Sequence, residues 1–430
     1  MGAGGVRTAS GHRGSWRGQR GAPAGSMGRV DDIAQRYLLL GLRLERHIPG
    51  FVDSYIGPPE LREAVAVEPP TPPQELHDEA MAIDELAAAA GSDDEAGHRR
   101  RDWLHAQLRA IRALARQASG EEIGYVDLVE QLFDVRVAPI PEERFAAARG
   151  RLDQALPGQG SLAERYRSWS RRLEVPTDRL LTVLRTSAER FHRAACRDFD
   201  VPPDEAIEWE AAQEQPWNAE ATFLGGGRTR IRVNLDLPRD VVTVARVAAH
   251  EAYPGHHLDN ITKERTLVRE AGPGEATLRT LNTPELLIAE GLASVGREVV
   301  MSDLELGDEL RRIARDAGLD TGLAALGAPV ATAVLELNGA FANAALLLHA
   351  EGVPPPDVRD YLVETTVQGP EVIDHAMRAL ADPIGRTYEF AYSEGMRLVR
   401  AWLEVQGQTS GFARLLAEQH TPSGLAADAS

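Results

Sequence analysis

Between Ala206 and Pro238 the apolar residues of this chain change their spacing, and that change limits the folds open to it. In "AIEWE" and again in "RTRIRVNLDLP", Ile207 and Trp209, then Ile231, Val233 and Leu235, alternate with polar or charged residues, as half-buried strands require. The glycine run Gly225 to Gly227 between them marks a turn. Almost everywhere else apolar residues recur every three or four positions, the spacing of amphipathic helices. A helical pattern interrupted once by strands predicts a mainly α, multi-helical fold with one small antiparallel β-sheet.

Helices are predicted over Val30 to Phe51, with Asp31 or Asp32 as N-cap, and over three segments that follow a proline-rich linker, Val67 to Glu75. Others cover Pro141 to Leu156, Leu162 to Leu173 and Thr177 to Phe199. After the strands come Asp240 to Tyr253, Pro284 to Ser302, Asp308 to Ala317, Ala331 to Ala350, Pro355 to Thr365, Gly369 to Ala381 and Gly385 to Val405. The chain thus divides into a disordered tail (1–29), an N-terminal helical region (30–200), a metal-binding catalytic region (201–405) and a frayed tail (406–430), the two regions forming one integrated unit. Within the catalytic region, strands over 205–236 lead to metal-bearing helices over 240–302 and then to C-terminal helices over 308–405. Residues 1–29 lack the apolar segment of a secretory signal, and the stretch before Met27 reads equally as an upstream start. The run from Thr321 to Ala350 is apolar enough to suggest a membrane span, but Glu336, Asn338, Asn343 and His349 within it are costly in hydrocarbon, so a buried helix pair is expected instead.

The net charge of −18 includes five arginines and no acid in the first 29 residues, which leaves −23 for the rest and argues against a nucleic-acid partner. The single cysteine, Cys196, excludes an intramolecular disulfide and reads as a small buried hydrophobe. A cytoplasmic protein is expected.

The chemistry concentrates in "VAAHEAYPGHHLDN", Val247 to Asn260. Two imidazoles on one helix face normally sit four residues apart, yet four places after His250 stands Pro254, which must kink or stop the helix near Tyr253. Gly255 then permits a turn that a β-carbon would obstruct. If the extra residues loop out, "HEAYPGH" becomes an insertion variant of the zinc-binding pattern HExxH, with His250 and His256 as ligands. His257 is the alternative, because seven residues return nearly to the starting face. A catalytic zinc site takes three protein ligands, and the best third is Glu290 in "NTPELLIAEGLASVGREVV", a carboxylate among apolar neighbours that is expensive to bury unless it meets a cation. Its bland reading is a salt bridge to Arg297. Thr283 as N-cap and Pro284 at the first helical position should start that helix.

"HEAYPGHH", the upstream "QPWNAEATFLGGGRTRIRVNLDLP" and the downstream "AEG" resemble the bacterial domain-of-unknown-function family 885, whose members are similar to helical zinc peptidases such as thimet oligopeptidase and the Taq-type carboxypeptidases. The likeness extends from about Tyr37 to Leu403, and HExxPGHH is its most specific element. It implies a zincin-like helical fold, one zinc per chain held by His250, His256 and Glu290, and Glu251 as catalytic base. Leu292 stands where the family pattern has a tryptophan.

These residues together point to a zinc-dependent hydrolase of peptides, in which Glu251 takes a proton from the attacking water and passes it to the leaving amine. Oxyanion donors are sought in Tyr388, Tyr392 and His349, and a hold on substrate in Arg386, Arg397 and Asn234. Asp236, beside Asn234, shapes the cleft or caps the metal helix. Two other outcomes remain open at this level: a metal-binding interaction protein without turnover, and a hydrolase of small non-peptide amides or esters.

Overall fold

The computed structural model describes residues 31–430 apart from 92, 93, 216 and 273. The expected N-terminal tail, 1–29, lies outside the described residues. The chain is mainly helical, with two small sheets. Its buried apolar residues form one contiguous cluster running from Tyr37 to Leu425.

The first helix, Asp32–Leu44, is capped by Asp31, whose side chain accepts from the Ala34 amide. The proline-rich linker shortens to a few residues, because Pro73 occupies the first turn of the next helix, where its missing N–H costs nothing. In the helix Glu95–Ala118, Arg100 forks onto Glu275, a carboxylate with no exposed surface, at 2.5 and 3.0 Å.

Strand β1 (Val52–Tyr55) pairs antiparallel with β5 (Leu278–Thr280). Strands β2 (Ala206–Ala212), β3 (Ala219–Gly225) and β4 (Arg228–Asn234) form a second sheet in the order β2-β4-β3. The hairpin β3–β4 turns on Gly225, Gly226 and Gly227, all at positive φ, which glycine adopts without strain. The sheet is mixed rather than antiparallel throughout: β2 runs parallel to β4, because the chain crosses to the far edge before the hairpin brings β4 back into the middle. Spacing shows which residues alternate, but not which edge a strand joins. In β4, Thr229, Ile231 and Val233 point inward and the arginines between them outward.

Two long helices pack against each other, Pro284–Val300 and Gly385–Gln406. They cross glycine on glycine: a β-carbon on Gly291 would lie 2.4 Å from the Gly395 carbonyl, and one on Gly395 would lie 2.4 Å from the Leu287 oxygen. Thr283 does not cap the first of them; its hydroxyl donates to the Thr280 carbonyl instead, and Pro284 alone marks the start.

The apolar stretch Gly327–His349 is long and apolar enough to cross a membrane by composition, and 56% of its most apolar window is buried inside the fold. It is two helices, Gly327–Leu337 and Ala340–His349, as expected of a buried pair. Residues 406–430 are not frayed: Gln408–Ala417 and Pro422–Asp428 are helices that bury Phe412, Leu415, Leu416 and Leu425. The i, i+3, i+4 spacing of Phe412, Leu415 and Leu416 carried that signal.

Candidate metal centre

The helix that leads to His250 begins at Asp240, whose carboxylate caps Thr243, and runs as α-helix over Val241–Val247. At Ala248–Ala252 it widens into a single π-turn, a feature often found at functional sites, and this turn holds His250 and Glu251. Tyr253 is extended, Pro254 ends the helix, and a new helix starts at His256. Gly255 is required by close approach rather than by a positive φ: a β-carbon there would lie 1.8 Å from the His250 carbonyl oxygen. Pro254 in turn packs on Gly296 of the Pro284–Val300 helix. That contact ties the turn to the helix bearing Glu290.

Three side chains converge. His250 Nε2 and His256 Nε2 are 3.1 Å apart, Glu290 Oε2 is 3.2 Å from the former, and Glu290 Oε1 is 3.5 Å from the latter. Ligand atoms held tetrahedrally at ordinary zinc distances stand about 3.3 Å from one another. The residues present therefore fit such a group. Glu290 Oε2 is moreover buried with no hydrogen-bond partner, which a cation would supply. Burial opposes charge on both residues, yet Glu290 keeps His256 protonated up to about 9, and the imidazoles hold the Glu290 carboxyl far below its ordinary range. Glu290 does not reach Arg297, which pairs with Asp303 at 2.9 Å.

Tyr388 donates to Glu290 Oε1 at 2.6 Å, while Tyr392, one turn on, has its ring 6.1 Å from that of His250. Burial first, and Glu290 next, push both phenols well above their ordinary value, so both remain O–H donors at neutral pH. Glu251 is 8% exposed and makes no hydrogen bond or ion pair among the described residues.

Other expected participants are engaged elsewhere. His257 is fully buried, with Nδ1 2.7 Å from Thr229 Oγ1 and Nε2 2.8 Å from Glu205 Oε2, so neither nitrogen is free to join the triad. His349 Nε2 bonds to the Leu380 carbonyl at 2.8 Å and its ring lies on Tyr125. Arg397 pairs with Glu394 at 2.7 Å; the Arg386 backbone carbonyl accepts from Tyr125, and the Arg386 Nε is buried without a hydrogen-bond partner. The buried Asn234 amide donates to the Gln215 and Trp217 carbonyls, and Asp236 accepts from the Glu214 amide, so both are tied to residues that follow β2. Leu292 is fully buried, and Cys196, expected inside, is exposed.

Two half-buried carboxyls that the sequence reading does not mark feel the charge of the triad. Burial pushes Asp53, on β1, up to about 6, against the pull of Arg279 and His256. Burial and then Glu290 push Glu389 up to about 7. Glu389 adjoins Tyr388 and could have been found from that; Asp53 arrives from a distant strand and leaves no local signal.

A mainly helical protein with a two-histidine, one-carboxylate constellation is the class that fold and site define. No family model and no curated protein matches the chain. Among solved structures it is similar to a protein described as a putative lipoprotein from Colwellia psychrerythraea, at 15% identity and a TM-score of 0.49, over 82% of this chain and 66% of that one. The chain therefore spans about two-thirds of that protein's length. It is also similar to a putative lipoprotein of unknown function from Shewanella oneidensis, at 11% identity and a TM-score of 0.49, over 92% of this chain and 82% of that one.

Proposed function

We propose that the protein is a zinc-dependent hydrolase that cleaves peptides, with His250, His256 and Glu290 as ligands and Glu251 as general base. The observation that carries this reading is the convergence of three ligand atoms at tetrahedral separations next to a buried carboxylate without a partner. A purely structural metal site has no use for such a base. His250, His256 and Glu290 would hold the zinc, which would supply Lewis acidity toward a carbonyl and toward water. Glu251 takes the proton of the attacking water and returns it to the leaving amine. Tyr392, protonated and unbonded, donates to the oxyanion, and Tyr388 orients Glu290. Strand β3 lies at the edge of its sheet and packs on the π-turn, which favours an extended peptide over a small amide. Kinship with the domain-of-unknown-function family 885, and through it with helical zinc peptidases, belongs to the same proposal as analogy. So does a cytoplasmic location.

The test is a peptide mixture read by mass spectrometry with and without chelator, beside elemental analysis of the purified protein. About one zinc per chain and chelator-sensitive cleavage are expected. Glu251→Gln should keep its zinc and lose on the order of 10²- to 10⁴-fold in turnover. Zinc without cleavage of peptides, amides or esters would leave a metal-binding protein, and wild-type turnover in Glu251→Gln would remove the base.

A further inference from the structure

His250 and His256 are six residues apart and meet only because the chain between them leaves the helix and folds back. The turn itself contributes two backbone bonds, Gly255 N–H to the Ala249 carbonyl at 3.0 Å and Tyr253 N–H to the Ala248 carbonyl at 3.4 Å. Proline supplies no donor of its own. Beyond these bonds and the packing of Pro254 on Gly296, side chains on either side of the turn converge on one acceptor. His257, immediately after His256, bonds through Nε2 to Glu205 Oε2 at 2.8 Å. Tyr253, immediately before Pro254, directs its hydroxyl to the same carboxylate. His192 Nε2 stands 3.6 Å from Glu205 Oε1, with its ring 4.7 Å from that of Tyr253. The carboxylate comes from the residue before β2, 52 positions earlier in the chain.

We propose that Glu205 is a positioning residue of the metal centre: by gripping both flanks of the Pro254–Gly255 turn, it sets where His256 stands relative to His250 and Glu290. This inference rests on reading that triad as a metal centre. The chemistry supports an anchor rather than a solvated charge. Against the cost of burial, the bonds from His257 and Tyr253 hold the Glu205 carboxyl below its ordinary range, so it is an ionised acceptor. That assignment makes His257 Nε2 the donor and leaves Nδ1 to accept from the Thr229 hydroxyl at 2.7 Å, so the imidazole is fixed at both nitrogens between β4 and the start of β2. Removing Glu205 would leave the fully buried His257 Nε2 without its acceptor and take away the carboxylate toward which Tyr253 is directed, and the cheapest relief is for the turn to shift. A shift of the turn carries His256 with it, because Gly255 has no slack against the His250 carbonyl.

The experiment compares wild type with Glu205→Ala and Glu205→Gln in the full-length protein. Zinc affinity is read by competition with a chromogenic chelator, and ligand geometry by the visible spectrum of the cobalt(II) form. Wild type should show the intense bands of a tetrahedral site. Glu205→Ala should lose about 10- to 100-fold in zinc affinity, the usual cost of losing a partner that orients metal ligands, with weaker and displaced cobalt bands. Glu205→Gln, which can still accept one bond, should recover part of both. Wild-type affinity and an unchanged cobalt spectrum in Glu205→Ala, even with a lower melting temperature, would overturn the proposal by reducing Glu205 to an anchor of the fold. If Glu205→Ala is insoluble, Glu205→Gln and Thr229→Val decide in its place: weakened zinc binding in both supports the role, and wild-type binding in both overturns it. A wild-type protein that takes up neither zinc nor cobalt removes the metal centre and Glu205 with it, whereas normal uptake by wild type and variants alike removes Glu205 alone.

Discussion

A carboxylate placed among Leu287, Ile288 and Leu292 costs several kcal/mol unless charge or hydrogen bonds surround it, and Glu290 has His250, His256 and Tyr388 around it. The two tyrosines that reach this group are not equivalent. Tyr388 is committed to Glu290, whereas the Tyr392 hydroxyl makes no hydrogen bond among the described residues and its ring lies beside His250. Tyr392→Phe should therefore lower kcat by about 10²- to 10³-fold, as loss of an oxyanion donor does, with zinc content intact. Tyr388→Phe should act first on zinc affinity. Steady-state kinetics and metal titration of both variants check this, and equal effects on both quantities would show the division of labour to be wrong.

At the scale of elements, the site depends on how closely two helices approach. Gly291 follows Glu290, and Gly395 lies seven residues after Tyr388, on the same face; backbone contact at these glycines brings Tyr388 onto the carboxylate and Tyr392 beside His250. Gly395→Ala places a methyl group against the Leu287 carbonyl, where no flexible side chain can yield. The expected cost is about 1 to 3 kcal/mol for overpacking, or more, measured by urea denaturation, with zinc affinity falling as the helices part. Unchanged stability would mean that this crossing opens without strain. The π-turn is the other element-scale device: the wider turn and Gly255 together close a six-residue gap that a regular helix would leave open.

At the scale of the whole molecule, the last two helices belong to the core. Phe412 packs beside Gly296 and Phe199, and Leu415, Leu416 and Leu425 are buried with it. Four such side chains contribute about 1.5 to 3 kcal/mol each, a sum comparable to the total stability of an ordinary domain. A chain ending at Gln406 should be insoluble or lack a cooperative thermal transition by circular dichroism. A truncated protein that melts like the full-length chain would return these helices to the status of a tail.

Local spacing and local chemistry were enough to mark most helices and strands, the stop at Pro254, the need for glycine at Gly255, His250 with a partner at His256 or His257, and Glu290 as a carboxylate out of place among apolar neighbours, because each of these signals lies within a few residues of chain. What lay beyond them depended on partners brought from far away. His257 differs from His256 because Glu205 and Thr229, 52 and 28 residues distant, occupy both of its nitrogens. Tyr388 separates from His349, Arg397 and Asn234 because it meets Glu290 across 98 residues, while the others find the Leu380 carbonyl, Glu394 and the Gln215 carbonyl. A side chain's chemistry is written in its own residue type, but its partner is chosen by packing, and packing is settled only when distant segments meet.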